Sequence, residues 1–111
     1  DNIGLAHYGL GDSAKALEYF ERALAIKIKA LGDDHPDVAT SLNNIGSAHS
    51  GLGDHAKALE YHERALAIRI KALGDDHPDV AASLNNIGST HSDLGDYAKA
   101  LEYHERALAI R

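Results

Sequence analysis

Eight histidines give this 111-residue chain its broadest chemical range, since imidazole both ligates metals and moves protons near neutrality. Their context argues against both uses. His49, His62, His91 and His104 fall on apolar positions of the surrounding pattern, where hydrogen-bonded core rings are expected rather than ligands. His62, Glu63 and Arg64 begin like a zinc motif whose second histidine follows four residues after the first, but Leu66 stands at that place. His35 and His77 sit just before prolines and are expected to cap or solvate their loops. The chain has no cysteine, which removes thiolate ligands, thiol nucleophiles and disulfides. No glycine-rich phosphate loop, nucleophile elbow or clustered carboxylate pair occurs. The expectation is therefore no enzyme, no cofactor and no metal site.

A second group has a different chemistry. Thr40, Asn43, Asn44, Ser47 and Ser50 lie at helical spacing and carry no charge; further on the same pattern reads Ala82, Asn85, Asn86, Ser89 and Ser92 with Asp93, and near the start it retains Asn2. An asparagine amide offers both donor and acceptor, so it can bridge a peptide backbone group of either kind. Asparagine is also a poor helix former, and a pair of them in mid-helix costs stability without a packing gain. That cost favours a ligand-facing row over the competing reading of a merely solvated face. The expected site comprises Asn2, Thr40, Asn43, Asn44, Ser47, Asn85, Asn86 and Ser89.

The elements that hold these residues recur. Residues 28–69 and 70–111 differ only where Thr40 meets Ala82, Ala48 meets Thr90, Gly51 meets Asp93 and His55 meets Tyr97, leaving 38 of 42 positions identical. Residues 1–27 match 43–69 except at Asp1, Leu5, Tyr8, Ser13, Phe20 and Lys27. The chain thus reads as a partial repeat over 1–27 and two repeats over 28–69 and 70–111, one array with a 42-residue period. Within a unit, Val38, Leu42, Ile45, His49 and Leu52 mark the inner stripe of a helix A. Pro36 suits its first turn, Asp37 complements its dipole, and Gly51 with Gly53 is expected to end it. Asp54 caps a helix B, whose inner face carries Ala58, Leu59, His62, Ala65 and Leu66 and which runs to about Leu73. Short loops make the two helices antiparallel, and repetition stacks the hairpins into a solenoid. His35, Pro36 and Asp37 echo a loop tripeptide of J-domain cochaperones, but their return as His77, Pro78 and Asp79 marks a helix-start device.

Gly46, Gly53, Ala58, Ala65 and Leu66, with large inner residues at Leu42 and Ile45, resemble the tetratricopeptide signature, and the 42-residue unit is similar to the repeats of kinesin light chains. The resemblance implies an all-α, right-handed superhelix whose A helices line a concave groove, and so a scaffold that binds a protein or an extended peptide there. The alternative is a structural spacer or self-associating array with no ligand of its own. The polar stripe holds no Lys or Arg and gains Asp93, so a preference for acidic cargo is not carried over from that family.

A net charge of −6 without a basic block argues against nucleic acid and anionic membrane as partners. No apolar run approaches the roughly 20 residues of a membrane span. A cytoplasmic protein is expected. Residue 1 corresponds to mid-helix positions 43 and 85, which reads as an excised fragment. Its last B helix leaves the side bearing Ala100, Leu101, His104, Ala107 and Leu108 without a following helix, from which end-to-end self-association is expected.

Overall fold

The computed structural model describes residues 13–110. Among these residues the chain forms five α-helices and no strand: α1 (Ser13–Leu31), α2 (Pro36–Gly51), α3 (His55–Leu73), α4 (Pro78–Asp93) and α5 (Tyr97–Ile110). Each helix packs chiefly on its neighbours in sequence. α2 and α4 are the A helices, while α1, α3 and α5 are the B helices. The result is the expected all-α tandem array. The α2–α3 hairpin crosses the boundary between residues 69 and 70 of the 42-residue frame used above, because the phase of a repeat is arbitrary.

The helix boundaries have local causes. Pro36 and Pro78 begin the A helices where a missing N–H costs nothing. The residue before each is a histidine that serves as N-cap: the Asp37 amide donates to His35 Nδ1 at 3.1 Å, and the Asp79 amide to His77 Nδ1 at 3.0 Å. An imidazole nitrogen here takes the role usually given to a hydroxyl or carboxylate. The B helices begin at Asp54 and Asp96, whose carboxylates accept from the Lys57 and Lys99 amides.

At the end of α2 the Asp54 amide donates to the His49 carbonyl at 2.9 Å and the Gly53 amide to the Ser50 carbonyl at 3.0 Å, the paired bonds of a Schellman turn. Gly53 adopts φ +84°, a conformation that an L side chain enters only with strain. Gly51 does not share that duty. It is the last helical residue, and Asp93 replaces it in the next unit without moving the helix end.

The core is a chain of small clusters between helices. Ala16 and Phe20 of α1 pack with Ile45 and Ala48 of α2; Val38, Ala39 and Leu42 pack with Ala65 of α3; Val80, Ala81 and Leu84 pack with Ala107 of α5. The expected stripe therefore holds from Val38 to His49. Leu52 departs from it, being half exposed at 50%, because it lies in the turn beyond the last helical residue. On α5, Ala100 and Ala107 are buried while Leu101 and Leu108 are exposed. The expectation of one uncovered side is thus corrected: the alanines face α4 of their own unit, and only the leucines point away.

The close approach of A and B in the second and third units rests on a glycine. A β-carbon on Gly46 would lie 2.9 Å from the His62 ring, and one on Gly88 would lie 2.9 Å from the His104 ring.

Replacing Gly53 by Ala should lower stability by about 1 kcal/mol through its positive φ, whereas Gly51→Ala should be neutral or stabilising because Gly51 is helical. Urea midpoints of the two variants test the difference.

Candidate functional site

The expected row is carried mostly by α2 and α4. Thr40 is exposed, with its hydroxyl donating weakly to the Pro36 carbonyl at 3.4 Å. Asn44, Ser47 and Asn86 are half-buried and Ser89 is exposed; none of their side chains makes a hydrogen bond among the described residues. Asn2 lies outside the described residues.

Asn43 and Asn85 have a different position. They turn toward their own B helices, Asn43 meeting His62 Nδ1 at 3.0 Å and Asn85 meeting His104 Nδ1 at 2.9 Å. Two amides of the row are thus engaged inside the units. They hold rings that the helix crossing leaves little room to move.

Asn43 leads to a residue that the reading of the sequence missed. With its amide nitrogen donating to His62, its oxygen accepts from Arg69 Nη1 at 2.7 Å and Nη2 at 3.0 Å. Arg69 Nη1 also donates to Ser83 Oγ at 2.9 Å and to the Asp79 carbonyl at 3.2 Å. A guanidinium from α3 therefore lies between the A helices of successive units, and Arg69 as a whole is only 9% exposed. Burial lowers its pKa, and the Asp79 carboxylate opposes that change. The stripe itself is uncharged, yet a cation stands beside it. The signal was present in the sequence: a basic residue recurs at 27, 69 and 111 at the end of the same apolar pattern.

The histidines divide by environment. His62 is buried, and desolvation, reinforced by the nearby Arg69 charge, pushes its pKa down to about 4. His49 and His91 stack on Tyr61 and Tyr103 with ring centroids 5.4 Å apart in both units. Arg64 and Arg106 lie over the same tyrosines at 5.5 and 5.2 Å. His104 is half-buried rather than fully inside, since no described helix covers the far side of α5. No group of three or more His, Cys, Asp or Glu side chains gathers at metal-binding distance among the described residues. Nor is any helix among them long and apolar enough to cross a membrane.

A tetratricopeptide repeat family profile matches residues 1–71 and 51–111. The chain belongs to the tetratricopeptide repeat family. Its array is of the kinesin light chain type. One similar solved structure, of nearly identical TPR-like repeats from a Podospora anserina protein of the kinesin light chain kind, is 28% identical, with a TM-score of 0.88 over 98% of this chain and 52% of that one. Another, BtubC (BKLC) from P. vanneervenii, is 31% identical, with a TM-score of 0.90 over 100% of this chain and 44% of that one. This tetratricopeptide array thus spans about half the length of those proteins. The TPR domain of Arabidopsis FLU, 22% identical with a TM-score of 0.82 over 97% of this chain and 87% of that one, shares the fold. No curated protein matches the chain significantly. A tetratricopeptide fold is in general that of a protein–protein interaction scaffold.

The depressed pKa of His62 sets the direction of an acid response. The unfolded ring titrates near 6.5 and the folded one near 4, so the folded state resists the proton. Stability from this group is complete above about pH 6.5 and is lost as pH falls toward 4, by roughly 3 kcal/mol in all. Phe20 occupies the equivalent place in the first unit and is buried, so H62F should fold and flatten this part of the profile. Chemical denaturation of both proteins between pH 7 and pH 4 measures it; identical slopes would put the ring in solvent.

Proposed function

We propose that the array is a protein-binding scaffold whose A helices hold an extended peptide along Thr40, Asn44, Ser47, Asn86 and Ser89, with Asn2 in the same register of the first unit. The observation that carries this reading is the state of Asn44 and Asn86. Both are half-buried, yet neither amide is satisfied within the described chain. Their amide atoms stay open to solvent at the surface, free to exchange water for a ligand's donors and acceptors. A peptide backbone offers donor and acceptor alternately, which suits amides at a fixed repeat. Asn43 and Asn85 would then support the row by fixing the helices rather than by touching the ligand. A cleft of about 270 Å³ lined by Pro78, Ala81, Ala82, Asn85 and Ile110 adjoins it and offers an apolar surface for a side chain. In this reading the protein is cytoplasmic, has neither enzymatic activity nor a cofactor, and does not engage nucleic acid or membrane.

A second reading, self-association without another ligand, is supported by α5. Leu101 and Leu108 are 60% and 66% exposed, whereas their counterparts Leu59 and Leu66 on α3 are half-covered. An apolar pair of this kind suits end-to-end contact between copies.

The two readings separate experimentally. Replacing Asn44 and Asn86 by Ala should leave the helical circular dichroism intact and weaken a library-selected peptide by about 1 kcal/mol per lost hydrogen bond. Equal affinity of the double variant would overturn the groove assignment. Under the second reading, sedimentation of the parent should show concentration-dependent assembly that L101E/L108E abolishes, with the asparagine variant unaffected.

A further inference from the structure

The network around Arg69 has a polarity, and the polarity determines what a proton does to it. Asn43 stands between a ring nitrogen and a guanidinium that can only donate. One orientation of its amide suits both: the oxygen accepts from Arg69 at 2.7 and 3.0 Å while the nitrogen donates to His62 Nδ1 at 3.0 Å. That arrangement requires His62 to be neutral, with its proton on Nε2. Nη1 of the same guanidinium also donates to Ser83 Oγ and the Asp79 carbonyl of the next unit, while Nη2 is left to Asn43 alone. A single side chain of α3 therefore ties α2 to α4.

A proton on His62 Nδ1 turns that atom from acceptor to donor. The amide then has to present its oxygen to the imidazolium, which points its NH₂ at the guanidinium, and donor meets donor. Few neighbours can relieve the conflict. On its own helix the charged group beside His62 is Arg69. From α2 it meets Asn43 and the bare backbone of Gly46, while His49 is stacked on Tyr61 instead. From α4 the Asp79 carboxylate acts on Arg69. The compensating charge thus lies on the α4 side of the tether, and Asn43 is where it breaks.

We propose that His62, Asn43 and Arg69 form a proton-controlled tether between successive A helices: protonating His62 reverses the Asn43 amide and frees Arg69 from α2 while leaving it on α4. The inference concerns the spacing of α2 and α4 and holds whether or not a peptide binds between them. The first unit carries Phe20 at the position of His62 and Lys27 at that of Arg69, so it lacks this proton-sensitive triad. The buried Ser41 hydroxyl, the counterpart of Ser83, has no hydrogen-bond partner there.

The test combines a spectroscopic signature with a thermodynamic cycle on the full chain. Nitrogen-15 spectra of the imidazoles should show His62 as the Nε2–H tautomer at pH 7. R69M should lower the folded-to-unfolded ratio roughly tenfold at pH 7 but no more than about threefold at pH 4, because the tether is already opening. In an H62F background the two penalties should be equal. R69K, which places the first unit's own residue at this position, serves in the same cycle if R69M does not fold. An Nδ1–H tautomer at neutral pH would overturn the proposal even if the penalties differ, since charge repulsion alone would then explain them. Equal penalties for R69M at both pH values would overturn it as well.

Discussion

The contact on which the second and third units depend is the seat of a B-helix ring on an A-helix glycine. At Gly46 and Gly88 an added methyl would lie 2.9 Å from imidazole carbon and nitrogen atoms, so the helices cross where one of them has no side chain at all. Once that crossing is fixed, Ala58 and Ala65 are carried into the interface and Leu42 and Ile45 fill what remains. The next A helix inherits its position from the far side of the same B helix. A repeat protein has no central core to correct an error in one layer, so the geometry of the array is the accumulated geometry of this crossing.

A histidine in that seat brings consequences that a hydrocarbon would not. The ring stands at the repeat position that Phe20 holds in the first unit, but its nitrogens must be satisfied where water is scarce. Asn43 and Asn85 meet that demand from the A helix, nineteen residues earlier in each case. Part of the asparagine row is thus explained by packing rather than by ligand binding. The low helix propensity of the first asparagine of each pair is offset by a buried hydrogen bond within the unit. The second, Asn44 or Asn86, has no such compensation within the described residues, which leaves its amide available to a ligand.

Much of the fold was legible because the chain repeats. The 42-residue period, the proline and aspartate at each helix start, and the apolar stripe from Val38 to His49 all translate directly into observed helices. Gly51 was misleading, since glycine near a helix end suggests termination, yet only the residue that must adopt positive φ does that work and Gly53 is the one. Leu52 was misread because periodicity continues on paper past the point where the helix stops. For the candidate site the sequence supplied the row of side chains but not the direction in which each amide turns. Helical spacing places Asn43 and Asn44 side by side; the 100° between them sends one toward His62 and the other away.

Arg69 escaped notice for a related reason. Reading the A helix alone gives a stripe without charge, and a cation delivered through the gap between two A helices by the intervening B helix belongs to no single periodic face. Its burial is tolerable because its N–H groups find acceptors on both helices, an amide on α2 and a hydroxyl and a carbonyl on α4. None of those acceptors carries a full charge, so the guanidinium remains a source of positive potential within the array and lowers the proton affinity of the ring next to it. A leucine at position 69 could fill part of the same gap, but it would offer nothing to Asn43, Ser83 or the Asp79 carbonyl. Arginine answers all three at once through its planar fork, so the junction is held in one spacing by directed bonds as well as by the less particular packing of Ile70, Val80 and Leu84.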